Sequence, residues 1–127
     1  MKKRAAGWLL GLVMGLTACG LGPTPRSLAL AAVPGGNAED GREAIRSYGC
    51  GACHTIPGVL GADAVVGPPL TLFAYRKYIA GMLPNTADNL VLWIRTPQSV
   101  VPGNAMPDMG VTERDALNIA AYLATLK

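Results

Sequence analysis

Cys50-Gly51-Ala52-Cys53-His54 is the stretch on which the reading of the whole chain turns. Two thiols stand three positions apart, and the only histidine follows the second one directly. A redox pair of the C-x-x-C type calls for a βαβ setting, and no strand pattern flanks the motif. A chance pair, disulfide-bonded or with Cys53 free, is the plain alternative. Attachment of a c-type haem uses all three residues. The thiols add across the two vinyl groups on one porphyrin edge, and the histidine is then held beneath the iron as proximal ligand.

The flanks read as helices. Asn37 is a helix cap with Asp40 as its capping-box partner. Gly41, Ile45 and Tyr48 then recur on one face, with Glu39, Arg42, Glu43 and Arg46 on the other, so a helix is expected over 38–49. A mid-helix glycine costs up to about 1 kcal/mol, so Gly41 points to a close helix crossing. Residues 56–71 are rich in Gly and Pro and read as a loop, followed by a short helix within 70–81. Asn85 or Thr86 caps a helix over 87–95, which stops before Pro97. Residues 96–111 read as a loop. Thr112, with Asp115 three positions on, caps the last helix. Its apolar face is Ile119, Tyr122, Leu123 and Leu126, with Arg114, Asn118 and Thr125 opposite. No strand is expected anywhere. Aromatic residues make up 6% of the chain, thin for a core of this size, and a large bound cofactor would complete it.

A second axial ligand must come from elsewhere, because one histidine precludes bis-histidine ligation within the chain. Met82, Met106 and Met109 are the thioethers of the body. Met106 lies in Pro102-Gly103-Asn104-Ala105-Met106-Pro107, just before the last helix. In this order of helix, C-x-x-C-H, methionine loop and final helix, the body from 38 to 127 resembles the class I c-type cytochromes, small mono-haem proteins. The resemblance implies an all-α, cytochrome c-like fold of three to four short helices wrapped around one covalently bound haem c. It implies thioether bonds at Cys50 and Cys53, with His54 as proximal and Met106 as distal iron ligand. Met109 is the rival for the distal place, and Met82 reads as pocket or core filler. Gly67-Pro68-Pro69-Leu70 is similar to the family's G-P-x-L segment, which implies that the Pro68 carbonyl accepts a hydrogen bond from His54. Gly41, Ile45, Ile119 and Tyr122 look like the crossing of the terminal helices. Arg76 resembles a haem-propionate partner, its alternative being a solvated surface cation. Trp93 is either a propionate contact through its indole N–H or simple core packing. The loop over 54–68 departs from mitochondrial-type relatives.

The N-terminus reads as an address. Lys2-Lys3-Arg4 precedes an uncharged run over 5–21, the pattern of a bacterial export signal. Leu16-Thr17-Ala18-Cys19 resembles a lipoprotein lipobox, which implies removal of residues 1–18 and lipidation of Cys19. The alternatives are an ordinary signal cut near Ala31 or an uncleaved helical anchor. Residues 19–36 have no periodic face and read as a flexible tether, with a reach of roughly 24 Å as a coil. The folded body is expected over 37–127.

The chain has 127 residues, a one-domain length. Its 11 Lys+Arg exceed its 8 Asp+Glu only through the leader, whose loss leaves eight against eight. A neutral body does not suggest a nucleic-acid partner. Three cysteines are too few for a four-cysteine zinc or iron–sulfur site.

A haem with both axial positions filled has no place for a small-molecule substrate. The expected function is therefore one-electron transfer rather than catalysis. A membrane-tethered carrier would pass electrons from respiratory or dehydrogenase donors to an acceptor such as a terminal oxidase. Its partners would be redox proteins, in membrane complexes, on the periplasmic side of a bacterial membrane. The alternative is a cytochrome subunit of a larger oxidase or dehydrogenase complex. A peroxidase or gas sensor would need an open distal side.

Overall fold

The computed structural model describes residues 30–127. The expected leader 1–18, Cys19 and the tether as far as residue 29 lie outside the described residues.

Among the described residues three long helices carry the fold: α1 Ala38–Ser47, α2 Ala87–Arg95 and α4 Glu113–Leu123. A single turn, α3 Pro97–Val100, follows α2 inside the segment expected as loop, with proline in its first turn where no N–H is needed. Each long helix begins at a polar cap. The Asn37 side chain accepts from the N–H groups of Glu39 and Asp40 at 2.9 and 3.1 Å. Thr86 accepts from Asn89, and Thr112 from Asp115. Asn85 does not cap α2. Its amide instead donates to the carbonyls of Phe73 and Arg76.

Helix α1 ends two residues earlier than expected, at Ser47, because Gly49 turns left-handed at φ 71° and starts a 3₁₀ turn over Cys50–Ala52. The expected capping box at Asn37 does not close. The Asn37 N–H donates to Asn118 Oδ1 on α4 at 2.9 Å instead of to Asp40. Asn118, expected on the solvent face of the last helix, is accordingly buried at 5% exposure. The reason is the tightness of the α1–α4 crossing. A methyl group at Gly41 would sit 2.0 Å from the Asn118 carbonyl oxygen. The two backbones touch there, and Asn118 lies beneath the start of α1.

The short helix expected within 70–81 is one 3₁₀ turn, Phe73–Tyr75, followed by a small antiparallel ladder. Strand β1 Tyr78–Ile79 pairs with β2 Leu83–Pro84, so the expectation of no strand is corrected by two residues a side. Leu72 and Ala80 take positive φ of 51° and 50°, which breaks any helix through this region. The architecture remains all-α.

Residues 30–36 are not tether. Leu30 and Val33 are buried, the Leu30 N–H donates to the Ala74 carbonyl at 2.5 Å, and Arg114 donates to the Gly35 carbonyl. Two apolar side chains with their backbone partly paired hold this stretch on the body. The core is built of small and aliphatic residues: Ile45, Ile56, Ala74, Leu90, Ala116 and Ile119 are nearly or fully buried.

Helix α4 grips the chain on both sides of the cysteine motif. Tyr48, just before it, donates through its hydroxyl to Asp115 at 2.8 Å. Tyr122 donates to the Pro57 carbonyl, just after it, at 2.7 Å. The hydroxyls of Thr112 and Tyr48 hold the Asp115 carboxyl below its ordinary pKa.

Candidate haem site

The cysteine motif winds tightly because the Cys50 carbonyl accepts from the N–H groups of both Cys53 and His54, at 3.2 and 3.0 Å. The two thiols are not joined by a disulfide, and Cys50 is half-buried while Cys53 is exposed. Burial pushes the Cys50 thiol above its ordinary pKa. A redox pair works through a thiol whose pKa is lowered, the opposite direction.

The loop over 56–71 folds back on His54. The Gly67 N–H donates to the Cys53 carbonyl at 2.7 Å, and the Leu70 N–H to the Thr55 carbonyl at 2.8 Å. Thr55 also donates through its hydroxyl to the Ala64 carbonyl at 2.9 Å. These bonds lay the backbone of residues 67–68 against the imidazole. His54 Nδ1 is 2.8 Å from the Pro68 carbonyl oxygen. A carbonyl only accepts, so Nδ1 is the donor, and in the neutral ring this arrangement leaves the Nε2 lone pair for a metal. Gly67 lies flat against the ring, and a methyl group there would come within 2.5 Å of Cε1. The donor set therefore fits a covalently held haem: two thiols free to form thioethers, and one imidazole whose tautomer is set.

Arg76 is drawn to the same loop. Its guanidinium donates to the Pro69 carbonyl and stacks 5.0 Å from the centroid of Phe73. Burial lowers its pKa, and it is not a freely solvated cation. His54 and Arg76 thus hold the consecutive carbonyls of Pro68 and Pro69. Trp93 lies half-buried on α2 and packs against the buried core cluster.

Met106 is half-buried in the loop after α3, whereas Met109 is 40% exposed and Met82 64% exposed. Two residues that the sequence did not single out organise this loop, Gln98 and Asn104. Between them they hydrogen-bond both the N–H and the carbonyl of Met106. The signal for them was faint: two amide side chains among prolines, where backbone groups lack regular partners.

Among the described residues no helix is long and apolar enough to cross a membrane.

The chain is similar in sequence to known proteins. Cytochrome c oxidase subunit 2 of Alkalihalophilus pseudofirmus is 40% identical over 91 residues, covering 71% of this chain and 26% of that protein. The subunits of the same name from Bacillus sp. strain PS3 and Bacillus subtilis are 36% and 32% identical, covering 67% and 71% of this chain. The chain spans about a quarter of the length of these curated relatives. A family model described as Cytochrome c matches residues 38–127. That match begins at the first residue of α1 and takes in the cysteine motif, the His54 loop and the Met106 loop, and the chain belongs to the cytochrome c family.

Proposed function

We propose that the chain is a one-electron carrier holding a single haem c, bound through Cys50 and Cys53, with His54 and Met106 as axial iron ligands. When bound, the haem supplies a ferric–ferrous couple. The observation that carries this reading is the 2.8 Å contact between His54 Nδ1 and the Pro68 carbonyl, beside two unpaired thiols. Pro68 fixes the histidine tautomer and the orientation of its ring. The Met106 thioether is a soft, weak donor that favours the ferrous state and raises the potential. With two protein ligands in place, the chain's residues bind, orient and shield rather than transform a substrate.

The test is a potentiometric titration of holoprotein matured in a haem-c-competent host. One reversible one-electron wave is expected. Two waves, or a wave that does not reverse, would contradict a single-haem carrier.

A second reading has its own support. The three relatives are named as oxidase subunits, and this chain matches only about a quarter of each. On that reading the domain works docked to a membrane oxidase, as a subunit and not as a free shuttle. Both readings put the domain at a bacterial membrane, on the periplasmic side, after export by residues 1–18 and lipidation of Cys19. A lipoprotein anchor of two or more acyl chains would bind stably and raise the local concentration of the domain near its partners. Cys19→Ala is expected to release a soluble, haem-loaded protein from membranes on fractionation. Unchanged membrane retention would refute the lipid anchor.

A further inference from the structure

The segment between α3 and α4 has few backbone partners of its own, and its prolines at 102 and 107 donate nothing. Two amide side chains supply what is missing. Gln98 Nε2 donates to the carbonyls of Asn104 at 2.9 Å and Met106 at 2.7 Å, while its Oε1 accepts the Gly103 N–H at 3.1 Å. Asn104 Nδ2 donates to the carbonyls of Pro97 at 3.0 Å and Val101 at 2.7 Å, while its Oδ1 accepts the Met106 N–H at 2.8 Å. Each amide has two donor hydrogens and one carbonyl oxygen, and all are engaged. The result is a lock around one residue: the N–H of Met106 is held by Asn104 and its carbonyl by Gln98. Met109, three positions on, is bracketed by no such pair among the described hydrogen bonds.

The lock matters because of what a methionine is. Its side chain has three rotatable bonds, and its thioether is a weak donor. A weak ligand competes with outside ligands through effective concentration, which falls when the residue carrying it is free to wander. Fixing the Met106 backbone from both sides removes that freedom.

We propose that Gln98 and Asn104 are positioning residues that hold Met106 in place as an iron ligand and so set how easily an outside ligand displaces it. The proposal rests on Met106 being the distal ligand, as read above. Only an amide serves at either position, because a carboxylate keeps the acceptor and loses both donors.

The experiment uses full-length ferric holoprotein titrated with imidazole, following the far-red methionine–iron charge-transfer band. Gln98→Ala and Asn104→Asp are expected to lower the half-displacing imidazole concentration about tenfold, equivalent to about 1.4 kcal/mol, at unchanged haem content. Should Gln98→Ala not accumulate, Gln98→Glu keeps the bond to Gly103 and is expected to respond the same way. Met106→Ala separates the two claims. If it lacks the band while Gln98→Ala (or Gln98→Glu) and Asn104→Asp titrate like the parent, the positioning role is overturned and the ligand assignment stands. If Met106→Ala keeps the band, the ligand assignment fails and the positioning role with it. Lower thermal stability with an unchanged imidazole response would mark a structural role only, and would also overturn the proposal.

Discussion

Gly41→Ala is expected to destabilise the protein by about 3 kcal/mol, the upper end of the overpacking range. On a free helix the same change would stabilise by up to about 1 kcal/mol, because alanine is the better helix former. The sign reverses here because the new methyl group would lie 2.0 Å from the Asn118 carbonyl oxygen and 2.5 Å from its carbon. Both atoms are backbone, so no side chain can step aside. The helices must part, and the Asn37–Asn118 hydrogen bond parts with them. For a domain of this size, thermal unfolding should fall by roughly 12–24 °C. A melting temperature equal to or above the parent's would show that α1 and α4 do not meet at Gly41.

Gly67→Ala is expected to act on the site rather than on the fold. The added methyl group would lie 2.5 Å from His54 Cε1 and 2.7 Å from Nδ1. A free imidazole would swing away. This one is held at 2.8 Å by the Pro68 carbonyl, and by iron on the reading given above. Rotation breaks the first bond and strains the second. Loss of the partner that orients a metal-bound histidine typically costs 10- to 100-fold in affinity or activity. The yield of haem-loaded protein should therefore drop by about tenfold or more, and the surviving holoprotein should show an altered ferric spectrum. Parental yield with a parental spectrum would refute close packing of Gly67 on the ligand ring.

The cysteine motif, the three long helices and their caps were legible in the sequence because each has a local cause. Asn37 and Thr112 announce helix starts, the pair Asn85-Thr86 announces one without saying which residue caps it, and Pro97 announces a stop. The departures have non-local causes. Asn118 looks like a solvent residue by periodicity, and only the closeness of α1 at Gly41 explains its burial. Residues 30–36 lack a periodic face, yet Leu30 and Val33 find pockets made by the rest of the chain. The turn and ladder over 73–84 depend on positive φ at Leu72 and Ala80, residues whose side chains give no hint of it. At the candidate site, Cys50, Cys53 and His54 stood out through their spacing, while Met106 and Pro68 were expected only from the family resemblance. Gln98 and Asn104, which hydrogen-bond the Met106 backbone, act across a loop and left no pattern to read. The tyrosines at 48 and 122 were legible as helix-face residues, but not the hydroxyl bonds they make to Asp115 and Pro57.

The proposed closed His/Met iron site has a direct readout in absorption. It is tested most directly by the absorption spectrum of the holoprotein in both redox states, with and without carbon monoxide. A closed site gives a far-red charge-transfer band in the ferric protein and no change when carbon monoxide is added to the ferrous one. A high-spin spectrum with ready carbon monoxide binding would contradict it, leaving Met106 an ordinary loop residue and the protein an open-site haem sensor or enzyme.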